Sequence, residues 1–175
     1  MHLSSCYESK RDYIAGALPY NLKMLELLRV DADHPDFQQL VRKLDEELAL
    51  RDGDDHAFYA QYNKMDMIRH VVLAYRDSEP VSCGAIKAYN ANTVEVKRMY
   101  TEKERRGNGI AVEVLKELER WALELGYQTC ILETGIKQPE AIRLYEKQGY
   151  TLIPNYGQYA EIHESKCFEK HLDLT

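Results

Sequence analysis

The sequence contains no apolar run of membrane-spanning length, no block of basic residues and no closely spaced pair of cysteines. Each absence closes off a class of function. A spanning helix needs roughly 20 consecutive apolar residues. The apolar patch at 14–18 is too short and wrongly flanked for a secretory signal, so a soluble cytoplasmic protein without a membrane partner is expected. The 23 basic and 29 acidic residues are spread along the chain and leave a net charge of −6. That lacks the clustered positive charge that holds nucleic acid, and it argues against an acidic partner. Cys6, Cys83, Cys130 and Cys167 are too far apart for a CxxC zinc site or a disulfide framework. Three of them fall in expected strands and read as small buried hydrophobes of a reducing compartment. No glycine turn ends in Gly-Lys-Ser/Thr, so the lysine and magnesium ligand of a P-loop nucleotide site are missing, and no metal is expected.

What remains is a chain of 175 residues, 45% hydrophobic, large enough for one well-buried core and short for two. Residues 1–20 lack periodicity and read as an N-terminal extension or arm, and residues 21–175 as a single α/β domain. The pattern predicts a strand over 24–30. A helix follows over 36–50, with Phe37, Leu40, Val41, Leu44 and Leu48 at helical spacing and His34-Pro35-Asp36 at its start. After the polar cluster 51–56, a second short helix is predicted over 57–62. Strands over 69–75, 81–89 and 93–100, joined by short turns, imply an antiparallel meander. The next helix places Ala111, Val114, Leu115, Leu118, Trp121, Ala122 and Leu125 on one stripe, with Gly126 at C′. A strand over 129–133, a helix opened by Gln138-Pro139-Glu140 and ended by Gly149, and closing strands over 150–153 and 165–172 complete the chain.

The densest signal is Arg105-Arg106-Gly107-Asn108-Gly109-Ile110-Ala111, set between the fourth strand and the long helix. Glycines let the backbone curl without Cβ clashes, and the first amides of a helix point unbonded along its axis. Together with the helix dipole they make an anion site, suited to a pyrophosphate. A second segment runs Gln138-Pro139-Glu140-Ala141-Ile142-Arg143-Leu144-Tyr145-Glu146-Lys147-Gln148-Gly149-Tyr150.

On these two segments and their order the chain resembles the GNAT superfamily, the acyl-coenzyme A dependent N-acyltransferases, over residues 21–172. The superfamily signature of Arg or Gln, two residues, Gly, one residue, then Gly or Ala is met by Arg106 to Ala111. The second segment is similar to the superfamily helix that carries Ala-x-x-Leu-Tyr and closes on Gly-Tyr, with Gln138 where an Asn is usual. The resemblance implies an α/β (α+β) GNAT fold. In it a mixed sheet of about seven strands, flanked by about four helices, splays between the fourth and fifth strands and takes acyl-coenzyme A into the opening. Diverging strands leave backbone groups unpaired, and an amide-rich pantetheine arm can bond to them as an added strand would. Arg98, Met99 and Tyr100 are then expected to serve the arm through their backbone. Arg105, Arg106, Gly107, Asn108, Gly109, Ile110 and Ala111 would hold the pyrophosphate, and Gln138 and Tyr145 would also reach the cofactor.

Acyl transfer from a thioester needs an unprotonated amine, a polarised carbonyl and a proton for the departing thiolate. Tyr145 is the expected proton donor. A backbone amide near Met99 or Tyr100 is the expected carbonyl contact. For the amine proton Glu95 is the candidate base, directly or through water, since strand alternation puts Glu95, Lys97 and Met99 on one face and Val94, Val96 and Arg98 on the other. The rival reading of Glu95 is a surface ion pair. Glu133 either orients a cationic amine or caps a turn. His56, Tyr59 and Tyr156, in the regions that wall the opening, are candidate contacts of the acceptor. The expectation is an acetyl-coenzyme A dependent N-acetyltransferase acting on a small-molecule amine or amino acid. A protein or peptide acceptor and a non-catalytic acyl-coenzyme A sensor are the alternatives. None of the cysteines sits where a covalent acyl carrier is needed, although Cys130 comes nearest. The closing strands are the expected contact of a possible homodimer.

Overall fold

Runs of β-branched and aromatic residues broken by short polar turns make strands. In the computed structural model, which describes residues 25–53 and 67–173, seven of them build one sheet. These are β1 (Glu26–Val30), β2 (His70–Arg76), β3 (Glu79–Ala88), β4 (Thr93–Thr101), β5 (Thr129–Gly135), β6 (Thr151–Ile153) and β7 (Ser165–His171), in the order β1-β2-β3-β4-β5-β7-β6. β1 to β4 form the expected antiparallel meander. β5, β7 and β6 form a second antiparallel group. The two groups join through a parallel contact of three pairs, Thr93 with Thr129, Val94 with Cys130 and Glu95 with Ile131. Past those pairs the ladder stops, and the sheet stands open between β4 and β5.

Three α-helices lie among the described residues: α1 (Pro35–Asp52), α2 (Ile110–Glu124) and α3 (Pro139–Lys147). The short helix expected over 57–62 and the arm over 1–20 fall outside the described residues. α1 starts where its sequence says it should: Pro35 occupies the first turn, and the His34 side chain accepts from the Asp36 amide at 3.3 Å. α2 runs from Gly109 and buries Ile110, Val114, Leu115, Leu118 and Ala122. Leu125, expected on that stripe, is instead exposed, because the helix stops at Glu124 and the chain turns through Gly126 at φ 92°.

α2 and α3 cover one face of the sheet, packing on Val72, Val94, Val96, Leu132 and Phe168. α1 covers the other face over β2 to β4, through Phe37, Leu40, Val41 and Leu44. Beyond the opening, that second face is covered by Tyr159 and Ile162 from the segment between β6 and β7. The opening therefore has helices on one side and two separate lids of chain on the other.

Alternation along β4 holds only as far as Lys97. β3 pairs Cys83 with Tyr100 but Ala85 with Lys97, so Gly84 stands opposite two residues and β4 bulges. Arg98 takes φ 58° at the bulge. The expected faces are corrected there. Met99 packs with Val94 and Val96 against the α2 side, while Arg98 turns to α1 and donates to Asp45 at 2.8 Å. Glu95 and Lys97 keep their predicted face. Gly84 is required by close approach: a Cβ there would lie 2.3 Å from Met99 Sδ and 2.8 Å from Leu118 Cδ1.

Candidate active site

The opening is a cleft of about 500 Å³. One bank is β4 from Val96 to Thr101 with the turn Arg105 to Val112. The other is Glu133 and Thr134 of β5 with Gln138 and α3, and the C-terminal half of α1 closes the back with Leu44, Glu47, Leu48 and Arg51. Seven basic side chains (Arg51, Lys97, Arg98, Arg105, Arg106, Arg143 and Lys147) and three acidic ones (Glu47, Glu133 and Glu140) line it. The excess of four positive charges sits in a chain whose net charge is −6. The net charge of the whole chain is thus no guide to the charge of the cleft, which suits the pyrophosphate expected at its glycine turn. Fields in a cleft follow the charges within about a Debye length, near 8 Å at physiological salt.

At the wide end lies the glycine turn. Gly107 and Gly109 take φ 78° and 76°, backbone that side chains with a Cβ rarely adopt. The first amide of α2 to bond backwards is Val112, to Gly109 O at 3.0 Å, which leaves the Ile110 and Ala111 amides without an intrahelical acceptor. Asn108 does not line the cleft; its Nδ2 donates to Arg105 O and Arg106 O at 3.1 and 3.2 Å and holds the turn's shape. Arg106 also works structurally. Its Nε donates to Thr101 O at 2.8 Å and its two Nη atoms to Glu47 at 3.0 and 2.6 Å.

In the α3 wall, Tyr145 is 5% exposed, edge-on to Tyr150 at 5.7 Å and tilted against Phe168. It both packs in the core and lines the cleft, and its hydroxyl has no hydrogen-bond partner among the described residues. Burial, and then the charge of Glu133, push its phenol well above the ordinary value. Gln138 caps α3 through its backbone and makes no side-chain cap bond.

On the α1 side of the sheet, Glu95 is buried rather than a surface group. Its Oε1 accepts from Tyr156 Oη at 3.0 Å and lies 3.5 Å from Lys97 Nζ. Lys97 Nζ also donates to Tyr159 Oη at 2.9 Å. Glu133 lines the cleft, with Ser165 Oγ donating to its Oε1 at 2.6 Å. The burial of Tyr156 and Tyr159, and then the charge of Glu95, raise both phenols and keep them protonated.

Residues 26–150 match the profile of the acetyltransferase (GNAT) family. The chain belongs to that family. It is 34% identical over 142 residues to an IAA acetyltransferase of Azospirillum brasilense, a match that spans 77% of this chain and 92% of the relative. Among solved structures it is similar to a candidate acyl-CoA N-acyltransferase from Klebsiella pneumoniae. The TM-score there is 0.72 and the identity 27%, over 86% of this chain and 99% of that one. A GNAT family acetyltransferase from Elizabethkingia anophelis, with acetyl-CoA bound, shares the fold at a TM-score of 0.63 and 17% identity, over 85% of this chain and 98% of that one.

Within this GNAT acetyltransferase, the structure gathers Arg98, Met99, Tyr100, Arg105, Arg106, Gly107, Gly109, Ile110, Ala111, Gln138, Glu133 and Tyr145 around one cleft. Glu95 and Tyr156 stand behind Lys97 rather than in its wall. His56 and Tyr59 lie outside the described residues. Glu47, Arg51, Arg143 and Thr134 line the cleft without having been anticipated. For α1 a signal existed: Leu44, Glu47, Leu48 and Arg51 share one helical face, and its polar members interrupt an apolar stripe. Cys130 is fully buried against α2, and burial pushes its thiol up to about 12, as it does for Cys83. Neither supplies a thiolate nucleophile.

Proposed function

We propose that this acetyltransferase moves the acetyl group of acetyl-coenzyme A to a primary amine of a small molecule or amino acid, by direct attack within a ternary complex. The observation that carries the reading is the opening itself: an unzipped parallel seam, lined by an excess of cations, running from a glycine turn to Tyr145. The bound acetyl-coenzyme A of the Elizabethkingia anophelis protein, which shares the fold, supports the donor. The residues present fit that molecule. Ile110 and Ala111 amides suit a diphosphate, and the unpaired edges past Glu95 and Ile131 suit the amides of a pantetheine arm.

Acetyl-coenzyme A supplies the acyl group activated as a thioester. The acceptor nitrogen, neutral, forms a bond to the acyl carbon as the carbon–sulfur bond breaks. Tyr145 gives its phenolic proton to the departing sulfur, and the proton lost by the amine passes to Glu95, directly or through water. Lys97 and Tyr156 hold that carboxylate in place, and Tyr159 holds Lys97. The two carboxylates on this face, Glu95 and Glu133, favour a cationic amine over an acidic acceptor.

The test is release of free thiol from acetyl-coenzyme A across a panel of small amines, amino acids and peptides. Turnover of at least one small amine is expected. Turnover with peptides alone would reject the small-molecule acceptor, and tight coenzyme A binding without turnover of any amine would reject the enzyme reading.

A further inference from the structure

Charged side chains cross the open end of the split. From the end of β4, Thr101 O is bonded to Arg106, and Arg106 is bonded through both Nη atoms to Glu47 of α1. Arg51, one turn further along α1, donates through Nη2 to Glu47 Oε1 at 2.6 Å, the oxygen that also accepts from Arg106 Nη1. Its guanidinium also reaches the opposite bank, where Nη1 lies 3.3 Å from Lys137 O and Nη2 lies 2.5 Å from Glu140 Oε1 in the first turn of α3. Arg106, Glu47, Arg51 and Glu140 all line the cleft.

Glu140 is the odd member. Its side chain is 51% exposed, against 12% for Glu47. Partial burial acts to raise its carboxyl, but the hydrogen bond and charge of Arg51, and the charge of Arg106, hold it below the ordinary value. A carboxylate thus pairs with one guanidinium, Arg51, and feels the charge of a second, Arg106, next to the glycine turn that suits a diphosphate. Carboxylate and phosphate satisfy a guanidinium through the same charge-assisted geometry.

We propose that Arg51 is a further cofactor-binding residue held in reserve: Glu140 pairs with it, and it passes to the phosphate oxygens of acyl-coenzyme A when these bind. Glu47 keeps Arg51 at the site throughout, because the bond between them does not involve the far bank. Glu140 swings into solvent at little cost, as befits a half-exposed ion pair. This inference rests on the reading that the cleft takes acyl-coenzyme A.

A bridge that only braces the cleft and a residue held in reserve differ in sign. If the pair braces the cleft, removing either partner weakens cofactor binding alike. If Glu140 stands in for phosphate, removing it frees Arg51 and tightens binding, while removing Arg51 loosens it. Titration calorimetry of coenzyme A and of pantetheine, which has the same arm without phosphates, into wild type, Arg51→Met, Glu140→Gln and the double variant reads this directly. Arg51→Met is expected to weaken coenzyme A about tenfold and Glu140→Gln to tighten it about two- to fivefold, with the double variant matching Arg51→Met. Pantetheine is expected to bind all four alike. Thermal unfolding of each variant without ligand separates these effects from loss of fold. Like-signed changes for the two single variants, or equal shifts for pantetheine and coenzyme A, overturn the role of Arg51. Wild type that binds no coenzyme A overturns the cofactor reading as well.

Discussion

Tyr145 combines two demands that usually conflict in a single side chain. Its ring is part of the core against Tyr150 and Phe168, which fixes the hydroxyl in the wall of the cleft. The same burial, reinforced by Glu133, keeps the phenol protonated throughout the neutral range, so the proton it is to give is always present. Removing only the oxygen tests the role with least disturbance. Tyr145→Phe is expected to lower kcat about a hundredfold while leaving the coenzyme A Kd within about twofold, read by steady-state kinetics and calorimetry on one preparation. A fall in affinity that matched the fall in kcat would make Tyr145 a packing residue alone. Tyr145 was singled out in sequence by the resemblance of its helix to the superfamily segment that carries Ala-x-x-Leu-Tyr, whereas helical spacing alone read it as a packing residue. The partners of Glu95 were not legible in sequence. Tyr156 and Lys97 reach it across 61 residues in one case and two in the other, and neither spacing reports a contact.

The elements were read largely from hydrophobic period, and the strands, the long helices and the glycine turn stand close to where the pattern put them. What period could not convey is a change of phase. β4 alternates through Lys97 and then slips by one residue, because Gly84 leaves room for Met99 to turn inward beneath α2. The residue that absorbs the slip is Arg98 at positive φ, a position where glycine or asparagine would have been a visible marker. Gly84 is therefore the hinge of the arrangement. Gly84→Ala is expected to destabilise the fold by about 1–3 kcal/mol, seen as a lower urea midpoint with an unchanged slope, since the added methyl overlaps Met99, Leu118 and Val114. Displacing Met99 toward the cleft is also expected to weaken coenzyme A binding. Stability equal to wild type would show that the bulge can relax around a Cβ. Along α1 the difficulty was different. The apolar positions marked the buried face, and Glu47 and Arg51 pair at i,i+4, but their partners across the cleft lie 59 and 86 residues or more away, beyond the reach of any local pattern.

At the scale of the molecule, a net charge of −6 surrounds a cleft with four more basic than acidic residues. An average over the surface hid the feature that matters to an anionic ligand. A ligand that binds only the folded chain must stabilise it by mass action. Coenzyme A at a hundred times its Kd adds about 2.7 kcal/mol to the unfolding free energy, so the thermal midpoint is expected to rise by roughly 5–10 °C for a chain of this size. A scanning experiment with and without coenzyme A checks it, and an unmoved midpoint would contradict a cofactor lodged between the two halves. Those halves are held side by side by three backbone pairs. An unpaired strand edge is ordinarily a hazard at the rim of a sheet, where another chain can dock and propagate. Here two such edges face each other across a wedge inside the fold, shut off behind by α1 and tapering to nothing at Glu95 and Ile131. A wedge of that form, closed at one end by backbone pairing and behind by α1, keeps both edges away from the rim where another sheet could dock, and leaves them to a slender amide chain. Aggregation resistance and ligand selection then have one origin, the angle at which β4 and β5 part.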